Sequence, residues 1–317
     1  MRRPIVFLVA LGLLGACSGA SGNGTADGAP SAGSSPVAGR FSRPGAFAGE
    51  PCGLEATAAD VWILTCSGTL LQVPKAGGAG RAQTIGGEVL ALDGLRRGSE
   101  DSLLALVWIR TRPATGGKVV PIAPADGTLG APLDVGSSPP MSAAQTGDTL
   151  WVGMTDGRLV AIRDGTLREA SRSAALMWVV ADGDTLWTID ENGDAAQRDA
   201  SDGDVRATAT GAVPEPIAAA AAFGALWAAN PARLVRIADG TTTPRAVGVS
   251  GTVNAIEPCG GAVWLSQPDF GLRSVAPDGT VTASVRLGVA PRYLACDGSL
   301  LWVLAEDGRL GSIRTTP

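Results

Sequence analysis

Histidine is absent from this chain of 317 residues. That removes the Ser-His-Asp triad, the Cys-His pair and every imidazole metal ligand. Lysine occurs only at Lys75 and Lys118, and charged residues make up 17% of the chain. No basic run is present to neutralise a phosphate backbone, so nucleic acid is excluded as a partner. No P-loop or dinucleotide fingerprint appears, and no cofactor is expected. Aromatic residues are scarce at 4%, with Tyr293 the one tyrosine. The longest apolar run near the start, Ile5 to Leu14, is too short to cross a bilayer, which takes roughly 20 residues.

What remains is an acidic chain with 45% hydrophobic residues and a net charge of −5. The hydrophobic share allows a sizeable core, and the charge serves solubility. Arg2 and Arg3 precede the apolar run, and Leu14-Gly15-Ala16-Cys17 follows it. This order fits a secretory signal. Removing Arg2 and Arg3 with the leader leaves 23 basic against 30 acidic residues, a balance of −7. The four residues ending in Cys17 resemble the bacterial lipobox. The resemblance implies that Cys17 becomes the first mature residue and carries lipid, which two or more acyl chains hold firmly in a membrane.

Residues after Cys17 are mostly Gly, Ala, Ser and Pro as far as Pro44. Such a composition cannot bury enough surface to offset chain entropy and reads as a flexible tether. The expected organisation is a signal peptide over 1–16, a lipidated Cys17 with its tether over 17–40, and one folded domain over 41–317. The protein is expected to be exported and anchored by lipid on the outer face of a bacterial membrane.

Tryptophan sets the period of that domain. Trp62, Trp108, Trp151, Trp187, Trp227, Trp264 and Trp302 each follow an apolar residue, at spacings of 46, 43, 36, 40, 37 and 38. A period near 40 with short strands and Gly turns is the signature of propeller blades. Asp-Gly pairs such as Asp156-Gly157, Asp164-Gly165, Asp278-Gly279 and Asp307-Gly308 fall between alternating apolar runs. Each marks a hairpin. The fold expected is all-β, a seven-bladed propeller with four-stranded blades. The last repeat ends after its third strand, so Phe41 to Gly49 is expected to supply the fourth and remove an exposed edge. From residue 41 onward the pattern resembles bacterial propellers of the virginiamycin B lyase-like, NHL-repeat and YVTN-repeat kinds. Lyases of the first kind depend on a catalytic histidine, so here the resemblance implies the fold and not the reaction.

Four cysteines remain after Cys17, and export favours disulfides. A turn over Ala58 to Asp60 would set Cys52 opposite Cys66. Cys259 and Cys296 hold matching places in adjacent repeats. The expected bonds are Cys52–Cys66 and Cys259–Cys296. Asp190, Asn192 and Asp194 match the start of a calcium loop, but Ala195 and Ser201 stand where that loop wants Gly and Glu. They read as turn residues, and no metal or catalytic residue is assigned.

The repeated tryptophans are read as wedges between blades. Trp178 falls out of register, on an innermost strand or near the channel mouth. A ligand face is expected where the loops before the innermost strands meet the loops after the Trp strands. The first set offers Glu215, Glu257, Arg292 and Tyr293, and the second Arg110, Arg112, Asp269 and Phe270. Arginine and aromatics are what protein interfaces enrich. The leading expectation is a binding or scaffolding propeller that presents one face to a protein, peptide or glycan partner, with the propeller lipoprotein of outer-membrane β-barrel assembly as an architectural analogy. The alternative is a propeller lyase or hydrolase that uses carboxylates and a divalent metal.

Overall fold

The computed structural model describes residues 40–45, 47–87, 89, 94–97, 102–109, 116–269, 271–298 and 300–315. Cys17, the leader and the tether lie outside them. Every regular element among the described residues is a β-strand. None of them forms a helix long and apolar enough to cross a membrane.

Consecutive antiparallel strands make seven sheets, taken in chain order. Their first, innermost strands are Pro51–Ala56, Leu95–Arg97, Pro140–Thr146, Leu176–Asp182, Ala218–Ala221, Ala255–Cys259 and Pro291–Asp297. Six sheets have four strands and the seventh has three. The fourth place of that sheet goes to the N-terminal segment. Ser42 N–H donates to Leu310 O at 3.0 Å, and Leu310 N–H donates to Ser42 O at 2.9 Å. The result is the expected seven-bladed propeller, closed by the start of the chain.

The closing contact is one bridge and not a full strand. Pro44 accounts for its upper limit, because the next pairing position needs an N–H that proline lacks. Aromatic rings extend the closure. Phe41 lies against Gly311, and the buried Phe47 lies against Gly308. Gly308 belongs to the turn between the second and third strands. In the third and fourth blades the matching glycines are Gly157 and Gly193. There a side chain would run into the carbonyl of Ser173 or Val213, in the backbone leading to the next blade. In the last blade Phe47 fills that place. The three glycines also have φ of 84°, 80° and 81°, which a side chain would strain.

The apolar core is divided among the seams between blades. Trp62 packs with residues of blades one and two, Trp151 at the seam of three and four, and Trp187 at that of four and five. Trp227 and Trp264 fill the next two seams. These rings reach toward the third-to-fourth-strand turn of the following blade. Trp62 approaches Gly127 and Trp151 approaches Gly203. Trp302, in the last blade, finds blade one as its follower, and Lys75 sits over its ring at 5.7 Å.

Trp108 departs from the expectation. The other six tryptophans are third in their second strands, whereas Trp108 is sixth in Leu103–Ile109. Ala105 holds the wedge position in blade two, and Trp108 is only partly buried. An apolar residue before the ring fixed no register in that strand, where five consecutive residues are apolar before it.

Both expected disulfides are present. Cys52–Cys66 joins the first two strands of blade one across a Cα–Cα distance of 5.0 Å. Cys52 is the extra residue of a bulge between Pro51 and Gly53. Cys259–Cys296 joins the innermost strands of blades six and seven at 5.5 Å.

Candidate functional site

The innermost strands carry few large side chains near the axis. Pairing with the second strands defines a ring of equivalent positions: Glu55, Leu95, Ala144, Val180, Ala220, Glu257 and Ala295. The next ring is Ala56, Arg96, Gln145, Ala181, Ala221, Pro258 and Cys296. Alanine holds three places in each ring, where the strands converge and bulky groups would collide. The space left is a cavity of about 420 Å³, lined from all seven blades.

Charge enters this cavity at three points. Glu55 and Arg96 approach from neighbouring blades, with Nη1 and Oε1 4.0 Å apart and both side chains largely buried. Glu257 stands on blade six, and its Oε1 accepts the Cys296 N–H at 3.2 Å. The Cys259–Cys296 disulfide fixes that strand pair, so Glu257 is held by backbone on a covalently tied wall.

The lining reaches Gly298, in the turn between first and second strands of blade seven. The cavity therefore lies toward the end of the channel where those turns gather. Around that mouth stand Asp148, Asp182, Asp184 and Asp297. Asp182 Oδ2 accepts the Gly224 N–H at 2.9 Å. Asp239 stands on the adjacent turn, and burial first, then the Asp182 charge, pushes its carboxyl above the usual range. Phe223 is 40% exposed at the rim. Lys75 is engaged by Asp297 and by the Thr57 carbonyl.

The candidates from the sequence do not gather here. Glu257 lines the cavity, inside a strand that starts at Ala255, and so belongs away from the loops before that strand. The opposite end holds Glu215, Arg292, Tyr293 and Asp269. Glu215 and Asp269 are exposed there. Arg292 pairs with Glu50 at 2.9 Å and lies over Tyr293 at 5.4 Å, which ties blade seven to the entry of blade one. Trp178 is 6% exposed and packs in the seam of blades four and five, so it is a core residue. Arg110, Arg112 and Phe270 lie outside the described residues. At the calcium-like loop, Asp190 Oδ1 accepts the N–H groups of Asn192 and Asp194 at 3.0 and 3.1 Å. That carboxylate caps a turn.

Sequence reasoning missed Glu55, Arg96 and Gln145. A signal existed for Glu55. Counting back across the hairpin with Ala58-Ala59 as its turn places it opposite Trp62, on an innermost strand, whereas a turn over Ala58 to Asp60 would place Ala56 there. A carboxylate there faces the axis or a seam, and a seam would not hold it uncompensated.

No family model and no curated protein matches the chain. Solved structures do. Selenomethionine-substituted virginiamycin B lyase from Staphylococcus aureus has a TM-score of 0.67 at 16% identity, covering 87% of this chain and 98% of that one. A catalytically inactive variant of that lyase with quinupristin gives 0.70 at 15%, covering 87% and 98%. The WD40 β-propeller domain of Doa1 gives 0.69 at 12%, covering 87% and 96%. At such identities the likeness is one of fold, the seven-bladed ring already described.

Proposed function

We propose that this chain is an exported propeller, held at a membrane by lipid on Cys17, that binds a protein or peptide partner. The observation that supports this reading is the cavity of about 420 Å³ on the ring axis, with Glu55, Arg96 and Glu257 on a wall otherwise made mostly of small apolar side chains. Concave sites with a few placed polar groups are where ligands bind, and propellers hold such sites on their axes by construction. A WD40 domain shares the fold, and the likeness carries the architecture alone.

The test is capture from a cell-envelope extract with the wild-type protein and with Ala221→Trp, which fills the cavity from its wall. A partner retained by the first and lost by the second supports the reading. Equal capture by both, or none by either, refutes it. Anchoring is tested separately with Cys17→Ser, which is expected to move the protein from the membrane fraction to the soluble one.

A further inference from the structure

We infer that the cavity and its mouth receive a basic side chain, lysine or arginine, of a polypeptide partner. This rests on the binding-module reading and gives the occupant its chemistry. Among the described residues of the cavity, two carboxylates, Glu55 and Glu257, stand against one guanidinium, Arg96. The lining between them includes the partly exposed alanines Ala144, Ala181 and Ala221. An aliphatic stem can lie along such a wall while its charged head reaches a carboxylate. A low-dielectric channel focuses the field of the excess negative charge toward its opening.

The mouth repeats the pattern independently. Asp148, Asp182, Asp184 and Asp297 border it, and the described turns between first and second strands contain no lysine or arginine. Lys75, on an adjoining turn, is held against Asp297, and Arg163 donates from its Nε to Thr149 Oγ1 beside Asp148. Exposed Phe223 offers an aromatic face of the kind that attracts ammonium and guanidinium groups. The raised carboxyl of Asp239, due first to burial and then to Asp182, reports the same crowding of negative charge. The acidic residues run from Glu55 and Glu257 in the cavity to Asp182 and Asp184 at the turns. A chain with a basic residue in the cavity and others over the rim uses both, so the occupant is a polypeptide.

The experiment is fluorescence anisotropy with a labelled peptide of alternating lysine and glycine, titrated with the full-length chain. A peptide with glutamate for lysine is the control, and cadaverine and calcium chloride are competitors. The lysine peptide is expected to bind, more weakly as salt rises, and the glutamate peptide to give no signal. Glu257→Gln keeps the oxygen that accepts the Cys296 N–H and is expected to weaken binding about tenfold, in line with loss of one charge-assisted contact. Glu55→Gln gives a second reading of the same charge, and Asp182→Asn with Asp184→Asn should weaken binding severalfold. Equal affinity for both peptides, or unchanged affinity in both glutamate variants with unchanged melting temperatures, overturns the inference. Competition by cadaverine with no effect of the rim variant overturns the polypeptide assignment, and displacement by calcium at equimolar amounts overturns the basic occupant. If an envelope partner is captured by wild type and lost with Ala221→Trp while the lysine peptide does not bind, this inference fails and the binding-module reading stands. If neither binds, both fail.

Discussion

Replacing Cys259 and Cys296 together by serine removes the covalent tie between blades six and seven. The bonded residues are 37 apart in sequence, against 14 for Cys52 and Cys66. Loop-closure entropy converts these separations into about 3.8 kcal/mol for the longer loop and about 3 kcal/mol for the shorter. Native context widens the gap. Cys52 and Cys66 flank one hairpin whose turn already carries Thr57 N–H to Asp60 O at 2.9 Å, so a local contact survives the loss of sulfur. Cys259 and Cys296 belong to different sheets, and the last sheet has a fourth place filled by a single bridge. The double variant Cys259→Ser with Cys296→Ser should therefore lose about 4 kcal/mol. Cys52→Ser with Cys66→Ser should lose less. Both variants leave no unpaired partner thiol, which keeps the comparison clean. Guanidinium denaturation followed by tryptophan emission and far-UV circular dichroism reads the difference in midpoint. An equal or larger loss for the Cys52–Cys66 variant would refute the argument that the staple across blades matters more than the staple within one.

Trp151→Ala empties a fully buried wedge and should cost about 3–5 kcal/mol, while Trp108→Ala, at a partly exposed strand end, should cost under half of that in the same assay. Phe47→Ala removes the ring that plugs the last blade and should cost about 3 kcal/mol, with raised proteolysis near the chain ends as a second readout. Asp199 is held at a pKa of about 2, by the Ser201 hydroxyl first, then its backbone N–H and Arg206. Its folded pKa lies below the unfolded one, so it stabilises above about pH 4 and that contribution disappears as pH falls toward 2. Asp199→Asn should therefore lower the melting temperature at pH 7 and have little effect below about pH 2, and a loss that persists there would contradict an account based on the carboxylate charge.

Architecture was legible in the sequence because propeller blades repeat a physical problem. Each blade needs a bulky ring to fill a wedge and glycines where the chain must turn closely, so tryptophan and Asp-Gly recur at the blade period. The Cys259–Cys296 disulfide followed from the same repetition, since matching places in adjacent repeats are neighbours in space, and Cys52–Cys66 followed from the hairpin between its two residues. Trp108 misled because its strand, Leu103–Ile109, is apolar throughout and period alone sets no register in it. The cavity was less legible. Glu55, Arg96 and Glu257 come together through seven strands contributed by the whole chain, and no local spacing joins them. Glu257 was expected among the loops before the innermost strands, and it lies inside the strand Ala255–Cys259, next to Pro258. Proline is tolerated there because its position lies on the innermost edge, facing the axis.

The seam between blades seven and one also sets an order in time. Leu54, Val61, Ile63 and Leu71 of blade one pack against Ala295, Leu304 and Leu310. Ser42 meets Leu310 across 268 residues of chain. A ribosome making this protein from its N-terminus lays down one half of that seam first and the other half last. Until the final residues emerge, blade one carries a bare greasy flank and an unmated edge. Such intermediates aggregate, and contacts this distant form slowly. Holding the nascent polypeptide unfolded until synthesis ends would spare it that exposure.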